Sequence, residues 1–463
     1  MQSTVHQSEE ESGHVADPKP IPMAAGTADA ASSCDVFVLG GGPGGSTIAA
    51  LLAERGWNVV IAEKDRHPRF HIGESLLPLN MLLLRQLGVY EEVARIGMPK
   101  YGAEFNSPEH GPPVTFDFSQ SWDETYPSAF EVRRSEFDQI LFRNCANKGA
   151  YAIEDCRITN VAFPAGEDVR IEARPHDGGQ RAWRARFFVD ASGRDTFLAN
   201  RFGIKRRNRL HNSAAMYGHF TGAQRLPGKA AGNISMFWFD HGWFWFIPLL
   251  DGTTSVGAVC WPYYMKSRKT DPTTFFLDTI ALAPKLAERL RDAKLTHGVT
   301  ATGNFSYNAD RMHGDRYIMI GDAFAFIDPV FSSGVMLAMN SAFLGADAVD
   351  ASLRDPVRAP ALLRKFNRSV RSGVSSFSWF IYRMTHPSIR DMFMCPSNRL
   401  RMQEAVLSLL AGDLFRGTPI HWSLRAFKGA YYLVNLAHPR RSFTAWRHRR
   451  RTLQERLAQT PGS

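Results

Sequence analysis

Residues 35–45 read Asp-Val-Phe-Val-Leu-Gly-Gly-Gly-Pro-Gly-Gly, an apolar run that leads directly into a glycine-rich turn. The run predicts a buried strand beginning near Cys34, and the Ala and Leu spacing over residues 46–55 predicts a helix after the turn. Val-Val-Ile-Ala at 59–62 predicts a second, parallel strand that closes on Glu63. Together these elements predict one βαβ unit.

The glycines of the turn follow the dinucleotide-binding spacing Gly40-x-Gly42-x-x-Gly45. The first glycine permits the bend, the second lets backbone N–H groups approach a pyrophosphate, and the third lets helix and strand pack closely. The helix N-terminus faces the phosphate charge, and Glu63 can accept hydrogen bonds from a ribose diol. The place of the turn between a predicted strand and helix favours a bound dinucleotide over a plain glycine-rich turn.

Three later stretches resemble motifs of the glutathione-reductase-type flavoprotein monooxygenases. Residues 317–323, Tyr-Ile-Met-Ile-Gly-Asp-Ala, are similar to the second FAD motif, which implies that Asp322 binds the ribityl chain of the flavin. Residues 187–194, Phe-Phe-Val-Asp-Ala-Ser-Gly-Arg, are similar to the strand and turn beneath the cofactor. Residues 132–138, Val-Arg-Arg-Ser-Glu-Phe-Asp, are similar to the helix start whose arginine, here Arg134, approaches the flavin. The resemblance implies FAD.

Three further stretches resemble flavin-dependent halogenases. Residues 70–78, Phe-His-Ile-Gly-Glu-Ser-Leu-Leu-Pro, are similar to a loop over the flavin that related reductases and hydroxylases share. Residues 242–248, Gly-Trp-Phe-Trp-Phe-Ile-Pro, contain the halogenase pattern W-x-W-x-I-P, although two aromatic-rich strands give the same alternation. Residues 328–335, Asp-Pro-Val-Phe-Ser-Ser-Gly-Val, are similar to the loop of halogenases that act on phenolic and carrier-bound substrates.

The last of these loops implies a halide site. In relatives the backbone amides matching Ser333 and Gly334 hold the halide, and successive N–H groups at a helix start do form anion-binding nests. An ordinary serine helix cap gives a similar sequence. Lys100 stands in Pro99-Lys-Tyr-Gly-Ala-Glu-Phe, at the start of a predicted strand, which is similar to the K-x-G-A-x-F context of the halogenase active-site lysine.

The resemblance implies that reduced FAD, O2 and chloride or bromide yield hypohalous acid. A wall containing Trp243 and Trp245 would keep the organic substrate away from the flavin, and Lys100 would orient the hypohalous acid or carry the halogen as a haloamine. Phe331 stands where halogenases of free tryptophan carry a glutamate, which favours a phenol, a pyrrole or a carrier-protein thioester. The base that removes the ring proton is unassigned, with Glu104 as one nearby carboxylate.

The predicted site residues form four groups. The cofactor-binding residues are Gly40, Gly42, Pro43, Gly44, Gly45, Ser46, Glu63, Lys64, Ser75, Arg134, Asp190, Ser192, Asp322, Pro329, Gly334 and Val335. The halide-binding residues are Ser333 and Gly334, the channel wall is Trp243, Trp245, Ile247 and Pro248, and the catalytic residue is Lys100. No metal site is predicted, because the five cysteines are far apart and contain no C-x-x-C pair.

The predicted fold is an α/β FAD-binding domain of the Rossmann, glutathione-reductase-like type, with an inserted antiparallel β-sheet substrate domain and a helical C-terminal region. The expected boundaries are a disordered N-terminal extension at 1–33, the FAD-binding domain at 34–205 and 300–345, the β-sheet substrate and halide-channel region at 100–130 and 206–299, and the helical region with a basic tail at 346–463. Apolar clusters at 377–382 and 405–414 predict buried helix faces, although a substrate pocket, a carrier protein or a membrane surface would also use them.

Composition sets the protein class. The chain has 463 residues, 44% of them hydrophobic, and a net charge of +10, which fits an enzyme-sized globular protein. Its basic residues are dispersed except at the C-terminus, so no nucleic-acid partner is expected, and a solvated tail is favoured over a docking surface for an acidic partner. The clustered residues are Arg440, Arg441, Arg447, Arg449, Arg450, Arg451 and Arg456. Without a signal peptide or an apolar span of about 18 residues, we expect a cytoplasmic monomer or homodimer.

A second dinucleotide fingerprint for NAD(P)H is not visible, so the resemblance implies a two-component halogenase of secondary metabolism, supplied with FADH2 by a separate flavin reductase. Two alternatives of the same fold stay open. One is an FAD-dependent aromatic hydroxylase or epoxidase, in which the substrate reaches the flavin directly. The other is a prenyl or polyene reductase, which uses FADH2 as a hydride source and shares the loop at 70–78. A non-enzymatic flavin module has no support beyond the basic tail.

Overall fold

The computed structural model describes residues 32–208, 211, 213–303, 306–415 and 417–447. The N-terminal extension predicted at 1–33 lies outside the described residues except for Ser32 and Ser33, which belong to the first strand. Four of the clustered basic residues also lie outside the described range, namely Arg449, Arg450, Arg451 and Arg456.

The secondary structure comprises the following elements. The strands are β1 (Ser32–Leu39), β2 (Val59–Ala62), β3 (Met98–Lys100), β4 (Gly102–Asn106), β5 (Val114–Asp117), β6 (Ala129–Glu131), β7 (Tyr151–Ile153), β8 (Cys156–Ala162), β9 (Val169–Pro175), β10 (Arg181–Asp190), β11 (Lys205–Arg207), β12 (Ala214–Thr221), β13 (Ile234–Phe239), β14 (Gly242–Pro248), β15 (Thr253–Cys260), β16 (Lys294–Leu295), β17 (Thr300–Thr302), β18 (Tyr307–Ala309), β19 (His313–Gly314), β20 (Tyr317–Met319) and β21 (Ala325–Phe326). The helices are α1 (Pro43–Glu54), α2 (Pro78–Leu87), α3 (Tyr90–Ile96), α4 (Arg134–Asn147), α5 (Phe197–Arg201), α6 (Pro262–Lys266), α7 (Pro272–Ala281), α8 (Pro284–Arg289), α9 (Ser333–Arg354), α10 (Ala359–Ile381), α11 (Pro387–Met394), α12 (Met402–Leu410) and α13 (His421–Ala437).

The first sheet is parallel at its centre, in the order β20, β10, β1, β2, β7, with β19 and the antiparallel ladder β9–β8 attached. Its central strands are buried on both faces, and helix α1 contacts both α9 and α4. This arrangement confirms the predicted Rossmann-type unit. Helix α1 begins at Pro43 rather than at Ser46, because proline is favourable in the first helical turn and Gly42 caps it.

The second sheet has the order β16, β12, β15, β14, β13, β4, β5, with β17 also on β12. It is antiparallel except where β13 pairs with β4 in parallel. Residues alternate between its faces, so that Phe244 and Phe246 pack under α7 and α8, whereas Trp243 and Trp245 pack toward the C-terminal helices. The sheet is the antiparallel insertion that the sequence predicts.

Lys100 is the last residue of β3, which pairs with β6 as a separate two-stranded ladder. The prediction that it starts a strand is therefore wrong. The chain changes partner at Tyr101, because the side-chain oxygen of Asn233 accepts hydrogen bonds from the backbone N–H of both Tyr101 and Gly102, each at 2.9 Å. The new strand, β4, begins at Gly102.

The C-terminal region is helical, as predicted, from α9 to α13. Phe377, Phe380 and most of α12 are buried against Trp238 and Trp243, so these apolar clusters form core. Within the described part of the chain, no helix has both the length and the apolar character that crossing a membrane requires.

Candidate active site

A cleft of about 300 Å³ lies between the carboxyl ends of the parallel strands and the second sheet. Ligands of open α/β sheets bind at this edge. The predicted cofactor-binding residues that line it are Gly40, Gly42, Pro43, Gly44, Glu63, Lys64, Ser75, Arg134, Ser192, Asp322, Pro329, Gly334 and Val335. Three others, Gly45, Ser46 and Asp190, lie behind the lining and shape it.

The glycine turn leaves its backbone open toward the cleft. Gly40 has φ +104°, and a Cβ at this position would lie 2.4 Å from the carbonyl oxygen of Ala191. The Ser46 hydroxyl donates to the Gly41 carbonyl at 3.0 Å, and Gly41 N–H donates to Glu63 Oε2 at 2.7 Å. A side chain at Gly40 would clash with the Ala191 carbonyl, whereas the nearest atom to a Cβ at Gly42 would be Arg69 Nη2 at 3.7 Å. The turn therefore keeps its backbone open on the side of Gly42, which fits the close approach of a pyrophosphate.

Arg69 is a cleft residue that the sequence analysis missed. Its guanidinium lies 3.3 Å from Glu63 Oε2 and 3.1 Å from Asp138 Oδ2, and it places a positive charge beside the glycine turn. A phosphate-bearing cofactor fits such a charge. No motif marks Arg69; the one available signal is its position just before the loop at 70–78.

Asp322 is half-buried in the cleft wall, just after β20. Desolvation raises the pKa of its carboxyl to about 6, although Arg194 and Arg134 oppose this shift. Asp190 has a different role, since it accepts hydrogen bonds from the backbone N–H of Ser192 at 2.9 Å and of Leu198 at 2.8 Å. It therefore fixes the turn at 190–198 rather than facing the cleft.

Arg134 anchors the loop at 70–78 to helix α4. Its Nη1 donates to the Ile72 carbonyl at 2.9 Å, and its Nε donates to Asp138 Oδ1 at 2.8 Å. Phe70, the first residue of this loop, is 59% exposed and stacks on Tyr217 with ring centroids 6.1 Å apart. Tyr217 and Phe70 both line the cleft and were not predicted.

Trp243, Trp245 and Ile247 line the opposite wall of the cleft, and Pro248 does not. The indole of Trp245 is fixed by a hydrogen bond from Nε1 to Ser255 Oγ at 3.1 Å. These side chains are buried and rigidly packed, so they form a continuous wall on the side of the second sheet.

A second, smaller cavity lies beyond the cleft and contains Lys100. Its lining residues are Leu77, Lys100, Ala103, Glu104, Phe105, Phe118, Ile234, Met236, Val330, Phe331, Ser332 and Leu410. Ile234 and Ser332 line both cavities. The loop at 328–335 and strand β13 therefore separate the cleft from Lys100.

The loop at 328–335 is held by Asp328, a residue that the sequence analysis quoted without a role. Its carboxylate accepts from Ser213 Oγ at 2.9 Å and from Val330 N–H at 3.2 Å, and it pairs with His211 Nε2 at 2.9 Å. Ser332 has a left-handed conformation, φ +54°, immediately before α9. Gly334 lines the cleft, whereas Ser333 is buried and lines neither cavity.

Lys100 is 1% exposed and its ammonium group is held in place. Nζ donates to Ser75 Oγ at 2.8 Å and to the Leu76 carbonyl at 2.6 Å, and Glu131 Oε1 lies 3.7 Å away. Burial lowers the pKa of Lys100, and Glu131 opposes this shift. Glu131 was not predicted, because no motif marks it.

Glu104 also lines the smaller cavity but is already paired. Its carboxylate lies 2.8 Å from Arg289 Nη2 and accepts a hydrogen bond from Asn106 at 2.9 Å. The carboxylate is already engaged by Arg289 and Asn106, so the geometry gives little support for Glu104 in ring deprotonation.

Residues 33–371 match a family model described as an FAD binding domain. The flavin-dependent halogenase armH4 of Armillaria mellea is 35% identical over 348 residues, which span 69% of this chain and 65% of the relative. The 1H-pyrrole-2-carbonyl-peptidyl-carrier-protein chlorinase of Pseudomonas fluorescens is 28% identical over 409 residues, 83% of this chain and 90% of that one. The structure of the myxobacterial chondrochloren halogenase CndH matches with a TM-score of 0.72 and 35% identity, over 76% of this chain and 82% of its own.

Proposed function

The chain belongs to the FAD-binding-domain family and, within it, to the flavin-dependent halogenases, and we propose that it halogenates an electron-rich aromatic ring with hypohalous acid. One observation carries this proposal. The cleft that fits FAD and the cavity that contains Lys100 are separate, and they meet at Ser332 and Ile234. A hydroxylase that presents its substrate directly to the flavin has no need of this division.

In the proposed reaction, FADH2 from a separate flavin reductase supplies two electrons and the halide two, so that O2 and a proton give hypohalous acid and water. The residues that would hold FAD are Gly40, Gly42, Glu63, Arg69, Arg134 and Asp322. Chloride or bromide would bind the backbone N–H groups of Ser333 and Gly334 at the start of α9, where the helix dipole favours an anion. Trp243 and Trp245 would exclude the aromatic substrate from the cleft.

Lys100 would orient hypohalous acid in the smaller cavity by donating a hydrogen bond to its oxygen. The aromatic ring then attacks the halogen, and the bond between oxygen and halogen breaks to release hydroxide. The ring carbon loses its proton to this hydroxide, so the products are the halogenated ring and water. Phe105, Phe118 and Phe331 line this cavity, whose volume of about 30 Å³ has room for hypohalous acid but not for an aromatic ring, so the ring would meet the acid at the wall of the cavity. A phenol, a pyrrole or a carrier-bound aromatic is the substrate class we propose, and the relative named as a pyrrole-carrier-protein chlorinase supports it.

The test supplies the protein with FAD, a flavin reductase, NADH, O2 and bromide, together with a phenolic probe. We expect brominated probe by mass spectrometry. Hydroxylated probe without bromine would instead identify an aromatic hydroxylase.

The variant Lys100→Ala separates halogenation of the substrate from oxidation of the flavin. We expect it to abolish halogenated product while NADH consumption and hydrogen peroxide release continue, because the cleft does not contain Lys100. Product formation by Lys100→Ala at the wild-type rate would remove Lys100 from the mechanism.

A further inference from the structure

Glu131 and Lys100 lie diagonally across one ladder. Strands β3 and β6 pair so that Met98 faces Glu131 and Lys100 faces Ala129. Ser75 forms an isolated bridge to Glu131, and its hydroxyl accepts from Lys100. Glu131 is 0% exposed, so Lys100 and Glu131 are both enclosed by protein. Burial raises the pKa of Glu131 to about 7, and Lys100 opposes this shift, so Glu131 is a carboxylate above about pH 7.

Glu131 does not face either cavity. Neither of its carboxylate oxygens has a hydrogen-bond partner within the described residues, and the carboxylate does not line the cleft or the smaller cavity. Two other carboxylates lie nearby, but Glu74 is paired with His219 at 2.9 Å and Glu104 with Arg289 at 2.8 Å. Glu131 can therefore act only through Lys100.

We propose that Glu131 is a positioning residue that keeps Lys100 in its ammonium form; this rests on the proposed halogenation. An ammonium has three N–H donors, and Ser75 and Leu76 take two of them. One donor is left for hypohalous acid in the smaller cavity. A haloamine would need the neutral amine, so the Glu131 carboxylate favours the hydrogen-bonding role of Lys100.

The pH profile of Glu131→Gln tests this role. Without the carboxylate, burial alone acts on Lys100 and lowers its pKa further, so the ammonium is lost at a lower pH. In the profile of halogenation rate against pH, the alkaline limb should move to lower pH by about one unit or more. Glu131→Asp should restore part of the shift, and Glu172→Gln, at an exposed residue of β9, should leave the profile unchanged. An unchanged limb, or faster halogenation at neutral pH, would overturn the proposal.

A second readout does not depend on halogenation. Glu131→Gln leaves a buried ammonium unpaired and Lys100→Met leaves a buried carboxylate unpaired, so each should lower the urea midpoint of unfolding. The double variant should recover part of that loss. Strictly additive losses would show that the two groups do not interact. If the wild type makes no halogenated product but this coupling is present, the proposed function fails and the pairing stands.

An independent observation concerns the outer face of α13. Trp422, Leu433 and Leu436 are 77%, 67% and 76% exposed. At 100° per residue they lie on one face of the helix, opposite Leu424 and Phe427, which pack into the core. Helix α13 therefore has two apolar faces, and the outer one extends for about 21 Å.

The residues in and around α13 carry only positive charge, because residues 414–454 contain no Asp or Glu. Within the described residues the basic side chains of this segment are Arg425, Lys428, Arg440, Arg441 and Arg447, of which Arg441 is paired with Glu109 and Asp391. Arg416, Arg449, Arg450 and Arg451 lie outside the described residues. Helices with Trp and Leu on one face and basic residues beside it lie in the interface of anionic bilayers, where each basic residue adds attraction. An acidic protein partner would complement the positive charge, but it would not account for an exposed apolar face about 21 Å long.

We propose that the outer face of α13 binds the surface of an anionic phospholipid bilayer. Trp422, Leu433 and Leu436 would enter the headgroup region, and Arg425 would contact lipid phosphates. The full chain should sediment with vesicles of phosphatidylcholine and phosphatidylserine, and much less with phosphatidylcholine alone. Added salt should weaken the binding.

Matched variants locate the surface. The double variant Leu433→Ser/Leu436→Ser should lose most of the vesicle binding and still bind FAD. The control Val357→Ser changes an exposed apolar residue outside α13 and should leave vesicle binding unchanged. Equal binding by the double variant, or no binding of wild type to anionic vesicles, would overturn the proposal. Capture of an acidic carrier protein without vesicle binding would assign the surface to protein docking instead.

Discussion

Gly40 is a position of the predicted FAD-binding turn that leaves no room for a side chain. With φ +104° and the Ala191 oxygen 2.4 Å from any added Cβ, Gly40→Ala meets both backbone strain and a clash. We expect a loss of about 1–3 kcal/mol in the free energy of unfolding and little retained FAD after gel filtration. Gly149→Ala is the matched control, because Gly149 has φ +101° and no atom within 4 Å. FAD retention by Gly40→Ala equal to that of the control would contradict the cradle.

Asp322 gives FAD binding a pH dependence. Its pKa of about 6 lies above the value of about 4 in the unfolded chain, so between these two pH values the folded cofactor-free protein keeps a proton that the unfolded chain has released. This group therefore lowers the free energy of unfolding as the pH rises from about 4 to 6. The carboxylate form is the one that accepts hydrogen bonds from a ribityl chain. FAD affinity should therefore fall as pH drops through about 6, measured by flavin fluorescence. Asp322→Asn should flatten both dependences; an unaltered pH dependence in this variant would exclude Asp322 as the cause.

At the scale of residues, sequence motifs identified many of the residues that line the cleft, but not those whose place depends on contacts with distant residues. Gly40, Glu63 and Asp322 belong to patterns that require a spacing along the chain, and they line the cleft. Arg69 and Glu131 act through partners that the fold brings near them. Glu131 meets Lys100 only because β6 pairs with β3, and nothing in its neighbours along the chain indicates that pairing.

At the scale of elements, the wall of the cleft depends on how β14 faces β15. Trp245 stands opposite Gly257, and a Cβ at Gly257 would lie 2.2 Å from the indole ring. Gly257→Ala must displace Trp245 and should cost about 1–3 kcal/mol in urea unfolding. Gly298→Ala, with no atom within 4 Å, should cost much less. Similar losses in the two variants would mean that Trp245 is not fixed by this contact.

Strands of the Rossmann unit were predictable because their apolar runs are continuous and bounded by glycine. Strand β2 has the predicted bounds, and β1 extends to Ser32 because it continues beside the first half of β10. The break between β3 and β4 was not predictable. It is made by the side chain of Asn233, which is more than 130 residues further along the chain.

At the scale of the whole molecule, the cysteines report on the native packing. Cys34, Cys145, Cys156 and Cys260 are buried, and burial raises the pKa of the Cys34 and Cys145 thiols to about 12. Cys395 is exposed. A thiol reagent at neutral pH should therefore label one cysteine rapidly in the native protein and five after unfolding. Rapid native labelling of more than one thiol would contradict the packing of the core.

The division into two cavities is a property of the whole fold. The cleft is closed by residues from both sheets, and the smaller cavity by β3, β4, β13, α12 and the loop at 328–335. Motifs predicted part of the cleft lining and Lys100, but not most residues of the smaller cavity. The separation of the two cavities by Ser332 and Ile234 depends on packing between distant segments, which no single stretch of sequence encodes.

The pairing of β1 with β10, and of β10 with β20, also fixes an order of events during synthesis. The glycine turn ends at Gly45, but the parallel sheet that supports it is complete only when Met319 has left the ribosome. Strand β1 itself pairs with β2 and β10, and β10 is complete at Asp190. At translation rates of about 5–20 residues per second, the delay from β1 to the end of β10 is roughly 8 to 30 s, and the delay to β20 is roughly 15 to 60 s. During that time part of the apolar surface of the sheet is uncovered, and the lining of the cleft is complete only after Ala338 has been made.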